Sequence, residues 1–453
     1  MLSSSFGKNF KITISGGSHE PQMNLEITGL PSGKLIDMNK LQSFLHRRRP
    51  GQSSITTSRI ESDLIYINID DDYVHPNEFY TSSDKMSFII KNENYNKKEY
   101  NLTLPRPGHA DLPAYLKYGD KVNMSGGGPF SGRMTAMMCI AGGIAIQLLE
   151  EFNIKIDSQA LSIGSAKNRP VDLVAPVSLP ITDMMIDEIK YAREQENSVG
   201  GIIEVFATGV KSGLGGPLSQ GGESVLSPIF YAIPGVKGVE FGNGFTATTL
   251  MGSENNDDFF SLTSDGNIVT ATNNHGGFLG GITTGMPIIA RLAFKPTPSI
   301  GKAQYTINLN TGKPEKFKIQ GRHDPCIVPR ATAVCEAAMA IGILDMMLEP
   351  KPLKVCNANL KELSTLRNSI DEIDNQLIDL LNKRIEISKA VAKCKIDNNF
   401  PIEHTARETE ILNKVGPKFE KIYKEIFKTS KDIQKKVIQH GGKESGSKWV
   451  LVF

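Results

Sequence analysis

The segment Glu349-Pro350-Lys351-Pro352 divides the chain into two parts of different character. Two prolines within three residues interrupt any continuous helix there. Of the 42 glycines, only four lie beyond residue 356. Because glycine and proline favour turns over long regular elements, the first part is predicted to be loop-rich and the second helical. We therefore expect a large domain over residues 1–355, a helical domain over 356–440 and a tail over 441–453.

The composition excludes several classes of protein. Among 453 residues, 51 basic side chains face 49 acidic ones, and a net charge of +2 is too balanced for a general nucleic-acid binder. No run approaches the roughly 18 consecutive apolar residues of a membrane helix, and residues 1–17 show no secretory signal, so we expect a cytoplasmic protein. The five cysteines form no CxxC pair, which favours free thiols over a disulfide framework or a metal site.

The large domain shows a mixed pattern of secondary structure. Short β-branched runs at 10–15, 64–69, 201–210 and 287–294 are predicted strands, and apolar stretches at 135–152, 182–196 and 331–348 are predicted helices. Their order is not a clean βαβ repeat, so the predicted fold class is α+β.

The second part contains one long amphipathic pattern. Apolar residues recur at three- and four-residue steps between Leu363 and Val391, which predicts a helix of about 30 residues, roughly 45 Å long. A domain this small cannot cover so long a stripe alone, so pairing with a second copy of the chain is expected. Two further helices are predicted over 403–414 and 417–439, with Pro417 in the first turn of the latter.

Four glycine-flanked segments concentrate reactive side chains, at 16–19, 47–51, 106–111 and 321–325. A single histidine beside a glycine is more often a turn residue than a catalyst, and three consecutive arginines usually form a solvated face. The repeated combination of histidine, arginine and aspartate, without cysteine or carboxylate clusters, favours proton transfer on a polyanionic substrate.

Two other segments are candidate anion sites. Gly126, Gly127 and Gly128 precede a predicted helix, whose first backbone N–H groups can bind an anion. Residues 295–299 add a lysine and hydroxyls beside rigid prolines, which suits a phosphate. Neither segment fits the P-loop or the dinucleotide-binding fingerprint.

Seven motifs together resemble the chorismate synthase family over residues 1–350. In order, they are RRRPG (47–51), RPGHAD (106–111), GGGxxSxR (126–133), VKGVEFGxGF (236–245), NNxGGxxGGIxxG (273–285), KPTxSI (295–300) and GRHDPC (321–326). The resemblance implies a β-α-β sandwich, a homotetramer and bound reduced FMN. It also implies conversion of 5-enolpyruvylshikimate 3-phosphate (EPSP) to chorismate by 1,4-anti elimination of phosphate, without net redox change.

The same resemblance implies roles for individual residues. His19 would protonate the departing phosphate, His109 would protonate reduced flavin near N1, and Asp324, with Ser18 nearby, would take the proton from flavin N5. Substrate anions or the flavin phosphate would be held by Arg48, Arg106, Arg133 and Arg322. The implied FMN contacts are Pro129, Phe130, Ser131, Pro234, Gly235, Gly280, Lys295, Pro296, Thr297, Pro298, Ser299 and Arg322.

The helical part resembles the all-helical class of chorismate mutase over about residues 360–440. By spacing, Arg384 and Lys395 share one helix face, whereas Arg367 lies roughly 100° away and would face a neighbour. The resemblance implies that Arg384 and a partner's Arg367 bind the two carboxylates of chorismate. It implies that Lys395 and Gln434 donate to the ether oxygen, and that Arg407, Glu408 and Ser430 hold the ring and its hydroxyl.

We therefore predict a bifunctional enzyme that makes prephenate from EPSP. In one alternative, the helical domain only dimerises the chain or senses a ligand. In another, the large domain is a flavoprotein that has lost the elimination and acts in redox chemistry or binding. With no dinucleotide fingerprint, we expect an external flavin reductase, rather than the chain's own use of NADPH, to supply reduced FMN.

Overall fold

The computed structural model describes residues 2–51, 61–69, 72–93, 103–121, 123–264, 266–319, 324–349, 360–398, 401 and 405–439. The predictions for Arg322 and for the tail 441–453 fall outside these residues. The chain divides into two compact units, Met1–Pro350 and Lys351–Phe453.

The described part of the first unit contains nineteen strands and seven helices. The strands are β1 Ser3–Phe6, β2 Lys11–Gly16, β3 Gln22–Thr28, β4 Leu35–Asp37, β5 Tyr66–Ile69, β6 Asp72–Val74, β7 Glu78–Tyr80, β8 Met86–Lys91, β9 Lys155–Ile163, β10 Ala166–Lys167, β11 Gly201–Thr208, β12 Val236–Phe241, β13 Phe259–Leu262, β14 Ile268–Thr270, β15 Phe278–Leu279, β16 Ile282–Thr283, β17 Ile288–Phe294, β18 Gln304–Ile307 and β19 Pro314–Phe317. The helices are α1 Met38–Arg48, α2 Asp111–Tyr118, α3 Thr135–Glu150, α4 Asp183–Glu194, α5 Gly222–Tyr231, α6 Gly252–Asn255 and α7 Val328–Met347.

Two antiparallel sheets frame this unit. One has the strand order β1-β2-β3-β8-β5-β6 and the other β10-β9-β11-β17-β12, and the remaining strands form four two-stranded ribbons. Strand β2 alternates buried and partly exposed positions, as expected for a sheet with one face on the core. All seven elements predicted for this domain are present, within a few residues at each end.

Helices α3 and α7 form the layer between the sheets. Helix α3 contacts β2 and β3 of the first sheet and β9 of the second, while α7 contacts β9 and β11. Both helices are apolar around most of their circumference, which suits burial on all sides. A Cβ at Gly142 would lie 2.3 Å from Cα of Ala337, so the two helices approach closely there. The predicted α+β class and β-α-β sandwich are confirmed.

The segment that contains α3 has a high mean hydropathy. The apolar run of residues Gly132–Glu150 is shorter than the roughly 18 residues of a membrane helix, yet by length and mean hydropathy the segment is apolar enough to cross a membrane. It includes α3, and 83% of the segment is buried inside the protein, so its apolar character is that of a core helix.

The second unit is all-helical in its described residues, with α8 Leu360–Asp397, α9 Thr405–Val415 and α10 Glu420–Gln439. Helix α8 contains 38 residues and packs against α10. Helix α10 begins three residues after Pro417, so that proline precedes the helix instead of occupying its first turn. Along α8 the apolar side chains of Ile373, Leu377, Leu380 and Ile387 are each at least half exposed.

Candidate active sites

The three glycines at 126–128 lie against both predicted catalytic histidines. Their φ angles are +61°, +96° and +51°, a backbone region that residues other than glycine rarely adopt. A Cβ at Gly126 would lie 2.0 Å from Cε1 of His19, and one at Gly127 would lie 3.1 Å from Cε1 of His109. The two imidazole rings therefore occupy the space beside consecutive glycines, although 90 residues separate them in the sequence.

A cavity of about 650 Å³ opens beside this segment, and both His109 and Gly126 line it. That volume lies within the range of small-molecule and cofactor sites. Nine of the predicted cofactor residues are in its wall: Pro129, Phe130, Ser131, Pro234, Gly235, Lys295, Pro296, Thr297 and Pro298. Strand β1 and the end of α5 complete the wall with mostly apolar and hydroxyl side chains.

Hydrogen bonds join the motifs around this cavity. The backbone N–H of Lys295 donates to the carbonyl of Gly235 at 3.0 Å, and the Lys295 ammonium donates to the carbonyl of Gly108 at 2.6 Å. The hydroxyl of Thr297 donates to the backbone carbonyl of Asp324 at 2.7 Å. The segments at 106–111, 234–235, 295–299 and 324 are thus held together around one space.

Two lysines line the cavity. Lys295 was predicted, and Lys237, which begins the KGVEFG part of its motif, was not. Burial and the repulsion of Lys237 both lower the pKa of Lys295. Two ammonium groups close enough to repel one another form a favourable place for a phosphate.

Two predicted cofactor residues lie outside the wall. Gly280 is in the turn between β15 and β16, and is not among the residues that line this cavity. The hydroxyl of Ser299 instead accepts a hydrogen bond from Nη1 of Arg106 at 3.1 Å.

Arg106, His109 and Asp111 form a linked group at the start of α2. Arg106 donates from Nε and Nη2 to the two carboxylate oxygens of Asp111, at 2.6 and 2.8 Å. Nδ1 of His109 lies 2.7 Å from the same carboxylate. Burial alone would raise the pKa of Asp111, but its hydrogen bonds with Arg106 and His109 outweigh that effect and lower the pKa well below its usual range.

Arg48 and Arg133 share buried carboxylates. Arg133 forms an ion pair with Asp63 and donates to Asn92 at 2.9 Å, and its Nη2 lies 3.4 Å from Glu61. Arg48 lies 3.5 Å from the second oxygen of Asp63, and burial lowers the pKa of Arg48 to about 10. Nη1 of Arg48 and Nη2 of Arg133 face Asp63 and Glu61 at these ion-pair distances, without a closer hydrogen bond within the described residues. The two guanidinium groups and the two carboxylates therefore form one buried charge cluster.

The cation pair adjoins the cavity. Arg48 donates to the carbonyl of Gly132 at 2.8 Å and to the hydroxyl of Thr135 at 3.1 Å, and both of these residues line the cavity. The predicted substrate-binding arginines 48 and 133 are therefore placed next to the space that the predicted cofactor residues surround.

Ser18 and Asp324 occupy different surroundings. The Ser18 hydroxyl lies 3.1 Å from Nδ1 of His19 and within 3.3 Å of the carbonyls of Ser125 and Gly126. The carboxylate of Asp324 forms an ion pair with Arg330, and its Oδ1 has no hydrogen-bond partner in the described part of the chain.

In the helical unit, α8 and α10 bring four predicted residues together in two pairs. Arg384 donates to the hydroxyl of Ser430, and Lys395 donates to Oε1 of Gln434 at 3.2 Å. Ser430 and Gln434 are buried, one turn apart on α10. The Arg384 guanidinium also lies 5.7 Å from the ring centre of Phe427, and burial lowers the pKa of Arg384.

The other predicted residues of this unit are placed differently. Arg367 is exposed on α8. Arg407 is also exposed and pairs with Glu410 at 2.6 Å, and Glu408 pairs with Lys431 of α10 at 3.1 Å.

Sequence reasoning missed several groups in these sites. Asp111 lies two residues after His109 in the same quoted motif, so its position in the sequence was a usable signal. Lys237 also lies inside a quoted motif, but in a different one from Lys295. Glu61 and Asp63 come from a segment without a motif, and only the fold brings them to Arg48 and Arg133.

The geometry is that of an enzyme with a cofactor-sized cavity lined by His109 and two lysines. Residues 10–348 match the family model described as chorismate synthase, and residues 366–435 match chorismate mutase type II. The chorismate synthase of Lancefieldella parvula is 38% identical over 380 residues, covering 77% of this chain and 97% of that protein. That of Pyrococcus abyssi is 41% identical over 354 residues, covering 76% and 97%.

A crystal structure of a chorismate synthase has the same fold, with a TM-score of 0.59 at 24% identity, covering 82% of this chain and 99% of the other. The chain belongs to the chorismate synthase family. It carries a C-terminal chorismate mutase type II domain in addition.

The triglycine segment generates a test with a matched control. Gly126→Ala and Gly33→Ala each place a Cβ on a positive-φ backbone, but nothing lies within 4 Å of the Cβ position at Gly33. We expect Gly33→Ala to lose about 1–2 kcal/mol of unfolding free energy in urea, and Gly126→Ala to lose more, because its Cβ also meets His19. Only Gly126→Ala should displace His19 and shift its imidazole resonances in histidine-labelled NMR spectra, and unchanged resonances would contradict the described packing.

Proposed function

We propose that the first unit converts EPSP to chorismate with reduced FMN, and that the helical unit rearranges chorismate to prephenate. The observation that carries this proposal is the convergence of His19 and His109 on Gly126 and Gly127, beside a cavity that also holds two lysines. Membership of the chorismate synthase family and the match to chorismate mutase type II support the two reactions.

The residues of the cavity fit FMN. Lys237 and Lys295 supply positive charge for its phosphate, and Pro129, Pro234 and Phe130 supply apolar surface for its ring. Reduced flavin contributes electron density that helps to expel the substrate phosphate. The chain's own residues contribute position, charge and protons.

His19 is proposed to protonate the departing phosphate. It is buried, and its Nδ1 lies beside the Ser18 hydroxyl, which fixes the ring orientation. Arg48 and Arg133 are proposed to bind the anionic groups of EPSP, because Arg48 donates to Gly132 and Thr135 of the cavity wall and Arg133 shares the carboxylate of Asp63 with it. The product phosphate and the substrate carboxylates would complete these cation sites.

His109 and Asp324 are proposed to handle the protons of the flavin. His109 lines the cavity and would hold a proton near flavin N1. Asp324 is tied to the cavity wall through Thr297, and its Oδ1 is a candidate acceptor for the proton that leaves N5. Ser18 lies on the side of His19, where it is proposed to assist that histidine.

The remaining proposed contacts complete the cofactor and substrate sites. Gly280, Ser299 and Arg322 are proposed for FMN, and Arg106 for substrate or flavin phosphate. Cytoplasmic location and an external reductase as the source of reduced FMN are also proposed.

In the helical unit the proposed reaction needs no acid, base or cofactor. A Claisen rearrangement is pericyclic, so conformational restraint and positive charge at the ether oxygen suffice. Arg384 is proposed to bind a carboxylate of chorismate, and Lys395 and Gln434, which are already paired, to face the ether oxygen. Ser430, Glu408 and Arg407 are proposed to hold the ring and its hydroxyl.

We infer that a second copy of the chain covers the apolar stripe of α8. Ile387 and Leu380 are 64% and 60% exposed on a 38-residue helix, and burial of such a stripe is favourable. The exposed Arg367 lies on the same helix, where it could enter the partner's site. In the first unit, Phe245 and Phe260, each 81% exposed, support further contacts between copies in a tetramer.

Replacement of His109 tests the first reaction. With reduced FMN and EPSP under anaerobic conditions, the full chain should release phosphate and form prephenate. In His109→Ala, we expect EPSP turnover to fall by about 100-fold or more, because a positioned proton donor is lost. FMN binding, measured by fluorescence quenching, should be retained.

The matched control is His275→Ala. His275 also pairs with a carboxylate, that of Asp257 at 2.8 Å, but it does not line the cavity. Turnover close to wild type is expected in this variant. Full turnover in His109→Ala would discard the proposed mechanism, and flavin binding without elimination in the wild-type chain would favour a redox or binding function.

Replacement of Arg384 tests the second reaction. Arg384→Ala should lower prephenate formation from added chorismate by about 100-fold or more, since removal of one electrostatic donor from such a site typically costs that much. EPSP turnover should be unchanged. The control is Lys389→Ala, on the same helix, whose ammonium pairs with the exposed Glu386. Chorismate that binds to the wild-type chain without rearranging would instead support a sensing role.

A further inference from the structure

Asp111 is the first residue of α2, and its carboxylate is largely buried, since the side chain is 12% exposed. It accepts three hydrogen bonds from Arg106, from the backbone N–H at 3.1 Å, from Nε at 2.6 Å and from Nη2 at 2.8 Å. It also faces Nδ1 of His109 at 2.7 Å. One carboxylate therefore holds both side chains, and Nη1 of Arg106 anchors the group to Ser299 at 3.1 Å.

This arrangement distinguishes the two nitrogens of His109. Because an ionised carboxylate only accepts hydrogen bonds, Nδ1 must carry a proton to bond with it. Nε2 lies 3.1 Å from the Cβ position of Gly127, which places it on the side of the triglycine segment and the cavity. Nε2 is thus the ring nitrogen available to a molecule in the cavity.

The other charged side chains that the described residues place near His109 are cationic. Nη2 of Arg106 lies 3.3 Å from Nδ1, Lys295 donates to the adjacent carbonyl of Gly108, and Lys237 lines the same cavity. His19 lies next to it across Gly126 and Gly127. Among these charged side chains, the carboxylate of Asp111 is the one that can accept a hydrogen bond from Nδ1.

We propose that Asp111 is a positioning residue that holds His109 with a proton on Nδ1 and turns Nε2 toward the triglycine side of the cavity. A proton on Nε2 then passes to the molecule bound there, and the ring remains as neutral imidazole with its Nδ1 proton held by Asp111. The inference rests on the proposed role of His109 in the first reaction and adds the group that sets which ring nitrogen takes part.

The contact itself is tested in the flavin-free chain. In ¹⁵N-histidine NMR spectra of the wild-type protein, neutral His109 should carry its proton on Nδ1. In Asp111→Asn we expect the preference for Nδ1 to be lost, because an amide side chain can donate as well as accept a hydrogen bond. Asp111→Glu should restore that preference.

Kinetics with reduced FMN and EPSP test the consequence. In Asp111→Asn we expect kcat to fall by roughly 10- to 100-fold at neutral pH, because Nε2 of His109 is no longer held toward the cavity. KM and FMN affinity should change little. Asp257→Asn removes the carboxylate from the comparable Asp257–His275 pair, and should change the tautomer of His275 without altering that of His109 or turnover.

Two results would overturn the inference: a wild-type His109 protonated on Nε2 alone when neutral, or an unchanged His109 tautomer together with an unchanged kcat in Asp111→Asn. The tautomer measurement requires no variant, so it decides the matter even if Asp111→Asn does not fold. If the tautomer is as described but the wild-type chain does not turn over EPSP, the proposed function fails and the contact stands.

Discussion

The close approach of two imidazole rings to three consecutive glycines is the constraint on which the first site depends. The spaces that Cβ atoms would occupy at Gly126 and Gly127 are filled or bounded by His19 and His109. Positive φ angles at all three glycines turn the chain sharply before α3 and leave room for both histidines, and Gly126 also lines the cavity. A side chain at Gly126 or Gly127 would displace His19 or His109 from its position beside this segment.

Charge balance is the second organising feature. Buried guanidinium groups are costly unless paired, and here Asp63 and Glu61 form ion pairs with Arg48 and Arg133. The helical unit uses fewer charges, with Arg384 and Lys395 bonded to the neutral side chains of Ser430 and Gln434. This difference matches the two proposed reactions, one requiring proton transfer and the other only a shaped cationic site.

Much of this could be predicted from the sequence, and the exceptions have physical reasons. Hydrophobic periodicity located α3, α8 and the long strands, and motif order identified both families. The roles assigned to the site residues stay predictions, but the structure does place His109 and most of the proposed FMN contacts around one cavity, with His19 against Gly126 of its wall. The carboxylates at 61 and 63 were not predictable, because their partners are reached only through the fold. The apolar window at 132–150 shows that composition alone does not separate a core helix from a membrane helix.

The most direct test of the central claim is a crystal structure of the full chain with FMN and EPSP bound. The isoalloxazine ring should lie in the cavity lined by Pro129, Gly235 and Thr297, with Nε2 of His109 within hydrogen-bonding distance of it and His19 beside the substrate phosphate. A flavin bound elsewhere, or one separated from both histidines, would contradict the account.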